Sequence, residues 1–305
     1  MAQAQLGYVG YVSFDEWLVR ATTCDLKVTQ TIDKPDLVDG KTDKTVWQLG
    51  PKEVGGGVAF PGIHELQAGK TDGVVEYLWK AAVERNADGR MVSIPNVNVK
   101  YTSGIAFEYT NCIIDSYEFS VTHSDVINLN VNILGKSRNA GSTANPSYQL
   151  RNTRVLTWND ATILFRNAAG TLLEGNSIRA FTATLTNNAA RYYTLNQSLF
   201  PEDLAPTKRD FDGTVTVMGR NTDIADLAWS NFDRCTADSI VRFGYTLTSS
   251  TSECGGTFTV ELPGVVFEIE ELGITNDLFE TTVTWHALPG IVYGAQNNQT
   301  NFITS

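Results

Sequence analysis

The sequence predicts a mainly β fold made of two tandem β-sandwich units, each with one flanking α-helix. Three observations predict it: alternating apolar and polar segments run through most of the chain, only two segments have helical spacing, and the order of elements in the first half recurs in the second. Of the 305 residues, 42% are hydrophobic and 19% are charged, which is typical of a globular protein with a buried core.

Strict alternation identifies the strands. Residues Ile127 to Ile133 alternate between apolar side chains and asparagines without a break, as a half-buried strand requires. The same pattern occurs in Val97–Tyr101, Tyr117–Val121, Val241–Leu247, Phe258–Leu262, Phe267–Ile269 and Phe279–Trp285.

Two segments are predicted to be helices, one in each half of the chain. In residues 73–85 an apolar stripe of Val75, Leu78, Trp79 and Ala82 has helical spacing. In the second half, Thr222 or Asp223 can cap a helix that carries Ile224, Leu227, Ala228, Trp229 and Phe232.

The order of these elements predicts a tandem duplication. Trp17–Arg20 corresponds to Ile163–Arg166, Leu26–Thr29 to Phe181–Thr184, and Trp79 to Trp229, at a displacement that drifts by only a few residues. We therefore predict a first unit at residues 1–136, a linker at 137–151 and a second unit at 152–305. The alternative is that any β-rich chain can be aligned with itself.

Each predicted unit contains a long connection, at Asp33–Gly56 and at Asn187–Asp212. Connections of this length inside a compact domain are usually functional or disordered. Their mixed charge suits either a polar contact with another protein or a solvated hairpin tip. The charged candidates are Asp36, Asp39, Lys41, Asp43, Lys44, Lys52, Glu53, Arg191, Glu202, Asp203, Lys208 and Arg209.

The composition argues against enzymes and against conventional nucleic-acid binders. The net charge is −11, so phosphate neutralisation cannot supply affinity. The three histidines (His64, His123, His286) and four cysteines (Cys24, Cys112, Cys235, Cys254) show neither nucleophile nor zinc spacing, and the cysteines are interpreted as reduced thiols. We expect no catalysis, no metal and no cofactor.

Two further features of the sequence argue against a phosphate-binding loop and against a membrane-spanning helix. Gly50–Gly57 lacks the phosphate-binding GxxxxGK[ST] motif and is interpreted as a flexible loop returning to a strand. No apolar run approaches the ~18–20 residues of a membrane-spanning helix. The first five residues lack the features of a signal peptide, so we do not expect secretion by that route, and the cysteines, interpreted as reduced, suit a cytoplasmic setting.

One segment resembles the tail tube (major tail) proteins of tailed bacteriophages. Residues Phe107–Val121 contain Tyr109-Thr110-Asn111-Cys112-Ile113-Ile114, which resembles the family's strand pattern of Tyr, any residue, Gly or Asn, Cys, any residue, and Val or Ile. They lead into the alternating residues Val126–Gly135 and a Gly135-Lys136 turn. Residues Gly10–Gln30, the paired tryptophan helices and Leu199–Leu204 fit the same family pattern.

The resemblance implies a virion protein of duplicated-domain type, assembled in the host bacterium. In that family, rings of six β-sandwich units stack into a tube, one sheet of each unit joins a barrel around the lumen, and long loops reach from ring to ring. Two units per chain then imply three chains per ring, with a true hexamer as the alternative. The implied partners are copies of the chain itself, the tape measure, terminator and tail tip proteins, a sheath where the tail has one, and DNA that passes without specific binding.

A conduit for DNA should be lined by acidic or neutral polar groups, because cationic groups would hold the phosphates. The candidates for lumen-facing residues are Glu118, Asn128, Asn130, Asn132, Glu268, Glu270 and Glu280. The alternative for these residues is exposure on the outer surface. The alternative functions are a tandem β-sandwich binding or adhesive module using Trp47 or Trp158, and a ring protein of the tail tip or terminator that does not polymerise.

Overall fold

A computed structural model describes residues 11–33, 48–64, 73–102, 104–142, 154–167, 172–173, 178–195, 198–218, 239–247, 256–275 and 278–287. The elements of the first half are β1 (Tyr11–Phe14), β2 (Trp17–Val19), β3 (Thr23–Cys24), β4 (Lys27–Asp33), β5 (Gln48–Pro61), β6 (Ile63–His64), α1 (Val74–Val83), β7 (Ile94–Thr102), β8 (Ile105–Thr122), β9 (Asn128–Gly135) and β10 (Ser137–Ala140).

The second half contains only strands among its described residues. They are β11 (Arg154–Val155), β12 (Ala161–Asn167), β13 (Leu172–Leu173), β14 (Ile178–Thr186), β15 (Ala190–Tyr192), β16 (Asp203–Ala205), β17 (Asp210–Met218), β18 (Ser239–Leu247), β19 (Gly256–Thr275) and β20 (Leu278–Ala287). The predicted mainly β fold class is therefore confirmed.

Six antiparallel pairings of the first half have counterparts in the second. In the first half β1 pairs with β2 and β7, β7 with β8, β8 with β9, β9 with β5, and β5 with β4. In the second half β12 pairs with β13 and β18, β18 with β19, β19 with β20, β20 with β17, and β17 with β14. The chain order is the same, so β4 corresponds to β14 and β8 to β19, an arrangement compatible with two tandem units.

The correspondence extends to an irregularity in the ladder. The β8–β9 register shifts between Ile114 and Ser116, and the β19–β20 register shifts between Ile269 and Glu271. Such bulges disrupt pairing at one place in a strand. When the two bulges are aligned, residue 118 of β8 is equivalent to residue 273 of β19.

The long strand β8 joins the two halves. Its first part pairs with β7 and β10, and its second part pairs with β9 on one edge and with β14 on the other. The β8–β14 ladder runs from Ser116 opposite Thr186 to Thr122 opposite Ala180. This ladder, the in-chain seam, makes one continuous sheet from strands of both halves.

One face of that sheet is covered by the core. Along β14 the apolar residues Phe181, Ala183 and Leu185 are buried and alternate with partly exposed threonines, as the period of a strand dictates. The same alternation gives buried Leu129, Val131 and Ile133 on β9. The larger of the two hydrophobic clusters in the described residues contains residues of both halves, and a small second cluster consists of Met91, Ile113, Leu134 and Leu204.

Helix α1 contributes to the core on both sides of the in-chain seam. The indole of Trp79 on this helix lies 5.3 Å from the ring of Tyr117 in the first half, measured between centroids. It lies 5.6 to 6.2 Å from three rings of the second half, those of Phe211, Phe243 and Phe258. The buried Glu76 of the same helix accepts a 2.5 Å hydrogen bond from the hydroxyl of Tyr245. The predicted helix in the first half is thus confirmed, but it is shared between the halves rather than flanking one of them.

Several sequence predictions about connections were wrong. The glycine-rich segment 50–57 is part of β5, where it pairs with β4 and β9, so Lys52 and Glu53 lie in a strand. The first four residues of the predicted linker are likewise not loop but form β10, which pairs with β8, while the division into two units joined by residues 137–151 stays a prediction. The connection at 187–212 contains the hairpin β15–β16 and the start of β17.

One residue alignment between the halves was also wrong. Trp17–Arg20 overlaps β2, whose counterpart by pairing is β13, whereas Ile163–Arg166 lies in β12, the counterpart of β1. The alignment of Leu26–Thr29 with Phe181–Thr184 agrees with the pairing of β4 and β14.

Some predictions fall outside the described residues. These are the second helix with Trp229, the candidates Asp36, Asp39, Lys41, Asp43 and Lys44, and Trp47. In the described part of the chain the one helix has ten residues, fewer than a membrane crossing needs.

Candidate functional site

The face of the sheet opposite the core is polar across both halves of the chain. Directly opposed residues of neighbouring antiparallel strands share a face, so rows of residues can be followed from strand to strand. One row runs through Asn128, Ser120, Thr182, Thr214, Thr284 and Glu268, and the next through Ala59, Asn130, Glu118, Thr184, Asp212 and His286. We call this surface the polar face.

Five of the seven predicted lumen residues have described side chains, and all five lie on the polar face. Asn128, Asn130, Asn132 and Glu268 are exposed, and Glu118 is partly exposed between Asn130 and Thr184. The side chains of Glu270 and Glu280 are outside the described residues. The structure therefore places the described candidates on one surface, while their orientation toward a lumen stays a prediction.

A charged cluster of three residues, which was not predicted from the sequence, also lies on this face. Imidazole Nδ1 of His286 lies 2.7 Å from Oδ1 of Asp212, and its Nε2 lies 3.3 Å from Oε2 of Glu268. Partial burial acts to lower the pKa of His286, but hydrogen bonds and charge from Asp212 and then Glu268 outweigh it and raise the pKa above its usual value. A protonated imidazole here offsets two carboxylates, so the cluster is less acidic at low pH.

Threonines form most of the remaining polar face in the second half. The hydroxyls of Thr182 and Thr214 are 2.8 Å apart, and those of Thr216 and Thr282 are 3.2 Å apart. Such pairs stabilise neighbouring strands and leave a neutral hydroxyl surface. The alternation Phe181-Thr182-Ala183-Thr184 was visible in the sequence and could have identified them.

The candidates on the second connection contact the first half of the chain. Arg191 donates to the carbonyl oxygen of Val54 at 3.2 Å and lies 3.5 Å from the carboxylate of Glu53. Asp203 forms ion pairs with Lys136 at 3.4 Å and with Arg90 at 3.5 Å. These contacts hold the β15–β16 hairpin against the first half of β5, while a role of these residues between rings stays a prediction.

The residues that flank this hairpin are engaged as well. Arg209 donates to the carbonyl oxygen of Val83 at 2.8 Å and to Oδ1 of the buried Asn187 at 3.2 Å. Lys208 pairs with Asp210 at 2.7 Å, and Glu202 accepts a hydrogen bond from Thr194. Of this group, Lys208 and Glu202 remain exposed.

Catalytic and metal-binding arrangements were not expected, and among the described residues no cluster of three histidine, cysteine or acidic side chains has the geometry of a metal site. His123 stacks on Trp158 with ring centroids 4.4 Å apart and hydrogen-bonds Ser124. Cys24 and Cys112 are free thiols, and burial raises the pKa of Cys112 to about 12, which makes it unreactive.

Comparison with known proteins adds an independent finding. A family model described as phage tail tube protein matches residues 1–278. No curated protein matches the chain.

Proposed function

This chain belongs to the phage tail tube protein family, a structural family of the virion tail, and from that premise we propose that three copies close into a ring whose polar face lines a channel for DNA. Rings of this kind stack into the tail tube. The observation that carries the proposal is the in-chain seam, in which β8 of the first half pairs with β14 of the second.

The proposal treats residues 1–136 and 152–305 as two copies of one unit, joined by residues 137–151. The six recurring pairings and the matching bulges support this division. Because β4 corresponds to β14 and β8 to β19, the in-chain seam has an equivalent that one chain cannot make by itself: β19 against β4. In the described residues β4 pairs only with β5, and the part of β19 after the bulge pairs only with β20.

A neighbouring chain can supply the missing partner. If β19 of one chain pairs with β4 of the next, the sheet continues without an edge, and exposed edges are an aggregation liability that closure removes. The register follows from the in-chain seam: Ser120 opposite Thr182 predicts Thr275 of one chain opposite Lys27 of the next.

The diameter of a ring follows from the number of strands that its chains contribute. Each chain contributes eight strands to the sheet: β4, β5, β9, β8, β14, β17, β20 and β19. With strands about 4.8 Å apart and tilted by about 40°, three chains would give a barrel roughly 48 Å across between backbones. Two chains would give only about 32 Å, which polar side chains would reduce to little more than the width of the double helix.

The same arrangement decides which face lines the channel. The core, helix α1 and the strands β1, β7, β12 and β18 cover one side of the sheet, so only the polar face can line a closed barrel. Glu118, Asp212 and Glu268 would then repel phosphates, and the asparagines and threonines would offer only neutral groups.

The test combines particle imaging with a cross-link at the proposed seam. Negative-stain electron microscopy and mass photometry should show hollow rings at three times the chain mass, and tubes at higher concentration. Oxidation of a Lys27→Cys, Thr275→Cys double variant should link chains into closed trimers, whereas each single variant should stay unlinked.

Other outcomes assign the protein differently. Six chains per ring would retain the conduit and overturn the stoichiometry. Rings that never stack at any concentration would favour a ring protein of the tail terminus, and monomers at high concentration would favour a binding module.

A further inference from the structure

Two surface features lie at opposite ends of the sheet, an apolar tip and a cleft whose lining is both apolar and polar. The apolar tip is formed by Tyr192 at the end of β15 and by Tyr193 and Leu195 after it. Leu195 is fully exposed and Tyr192 is 51% exposed. The hydroxyl of Tyr193 donates to the carbonyl oxygen of Lys52 at 3.1 Å, and the backbone N–H of Lys52 donates to the carbonyl oxygen of Leu199 at 2.7 Å. The tip is therefore fixed to β5 while its leucine faces solvent.

The second feature is a cleft beside the in-chain seam, which we call the Trp158 cleft. Its volume is about 360 Å³, and it is lined mainly by Val121, His123, Trp158, Ile163, Arg179 and Phe181. The backbone N–H of His123 donates to the carbonyl oxygen of Arg179 at 2.7 Å, and the imidazole stacks on Trp158. The cleft is thus part of the ordered fold, with an exposed indole at its edge.

Strand β9 extends from the cleft to the tip, so its length gives the distance between them. Its first residue, Asn128, pairs with Ser120, next to the cleft residue Val121. Its last residue, Gly135, pairs with Val54, whose carbonyl oxygen accepts the guanidinium of Arg191 on the hairpin. The features are therefore about 24 Å apart along the strand direction, at about 3.4 Å per residue.

We propose that the apolar tip of each chain inserts into the Trp158 cleft of a chain in the next ring, and that this contact stacks the rings. The inference rests on the proposed ring, because the stack needs the sheets of successive rings to be aligned end to end. A surface at one end that fits a different surface at the other end makes a heterologous contact, which propagates as an open filament.

Shape and charge both support this occupant. An exposed leucine and tyrosine offer the apolar side chains that the cleft can bury, and such burial is the main favourable term in association. Glu202 accepts a hydrogen bond from Thr194 within the tip, and exposed Arg179 lines the cleft. Arg179 also donates to the sulfur of Met218 at 3.2 Å, so the two groups act as opposite charges on the two surfaces, which favours one orientation of the contact without requiring a direct ion pair.

The first test changes the tip and leaves the fold intact. Leu195→Asp should form normal rings but raise the protein concentration needed for tubes by on the order of tenfold or more, since a buried leucine is replaced by a charge. The matched control is Ile105→Asp, because Ile105 is also an exposed aliphatic residue (50%) but lies at the β7–β8 turn. Tubes formed by Leu195→Asp at the wild-type concentration, or an equal loss in Ile105→Asp, would overturn the proposal.

The second test identifies the contact directly. A short bismaleimide should link Leu195→Cys between chains to Thr122→Cys, because Thr122 lines the cleft, and should give a ladder of masses only where tubes form. The control pair, Leu195→Cys with Asp88→Cys, should give none, because Asp88 is exposed in the turn between α1 and β7, away from the cleft. Tubes without this ladder would overturn the tip-to-cleft contact and leave the ring proposal standing. A wild-type protein that forms no rings would overturn the proposed function, and the inference with it.

Discussion

Replacing Asn187 by alanine should destabilise the protein by about 3–5 kcal/mol. Asn187 is completely buried where helix α1, strand β8 and the second connection meet. Its amide donates to the carbonyl oxygens of Ala82 at 3.0 Å and Ile114 at 2.9 Å, and its Oδ1 accepts from Arg85 at 2.7 Å and from Arg209 at 3.2 Å.

The magnitude follows from these four bonds. Each of the two neutral bonds contributes about 1 kcal/mol, and each bond to a guanidinium about 1.5–3 kcal/mol, which sums to an upper limit near 8 kcal/mol. The loss should be smaller because Arg85 and Arg209 keep bonds to the carbonyl oxygens of Ala82, Glu84 and Val83. Burial lowers the pKa of Arg85, and the nearby charge of Arg209 lowers it further. In the variant these two cations would lie close together without the Asn187 oxygen between them.

The assay is urea unfolding followed by tryptophan fluorescence, at a concentration below ring formation, with the m-value compared between variants. The control is Asn86→Ala, because Asn86 is exposed just beyond the same helix and should change stability by less than about 0.5 kcal/mol. A loss below about 1 kcal/mol for Asn187→Ala would refute the argument that this side chain joins the two halves.

Three further predictions concern the sheet and its thiols. Gly213→Ala should unfold the protein or destabilise it by several kcal/mol, because the new Cβ would overlap the backbone oxygen of Thr182 and the ring of Trp285. The control Gly104→Ala places its Cβ in open space and should leave the melting temperature unchanged. Equal melting temperatures of the Gly213→Ala and Gly104→Ala variants would contradict this. The raised pKa of His286 means that its protonated form stabilises the fold. That stabilisation should be complete below about pH 6.5 and disappear as the pH rises through the raised pKa of His286. The difference in urea midpoint between wild type and His286→Asn should therefore shrink as the pH is raised above about 6.5. A difference that grows with pH would show that the neutral imidazole is the stabilising form. In variants that retain one cysteine each, a thiol reagent should label half-buried Cys24 faster than Cys112, whose pKa is about 12; the opposite order in native protein would contradict the burial of Cys112.

The strands and the first helix were predictable because their patterns are local. Residues 127–133 and 241–247 alternate, and the stripe of residues 75–82 has helical spacing, so each segment reports its own burial. The polar face was predicted to the same extent: parity places Asn128, Asn130 and Asn132 together on one strand.

The glycine-rich part of β5 was missed because composition and geometry conflict there. A run of glycines is typical of a loop, but Gly56 has φ of +150° and a Cβ at this position would lie 2.6 Å from the backbone oxygen of Asp25. Glycine is needed because another stretch of backbone approaches closely, and no single segment of sequence records which stretch that is.

The charged cluster and the shared helix could not be predicted for a related reason. Asp212, Glu268 and His286 are on three different strands, and only the register of β17, β20 and β19 brings them together. Likewise, the contacts of Trp79 with Phe211 and Phe258 depend on how the halves pack, which a comparison of one half with the other cannot show.

The in-chain seam also affects how quickly and at what dilution a ring can assemble. A tethered partner forms its contact at an effective concentration that is typically millimolar for a short connection, so the β8–β14 ladder should persist however dilute the protein is. Of the six junctions in a proposed ring, three would therefore be in-chain seams, one of them already present in each free chain, and only three would require diffusional encounters. Gene fusion of two units in this way would convert a six-body assembly into a three-body one, and the concentration dependence of ring formation should follow the third power of the chain concentration rather than the sixth.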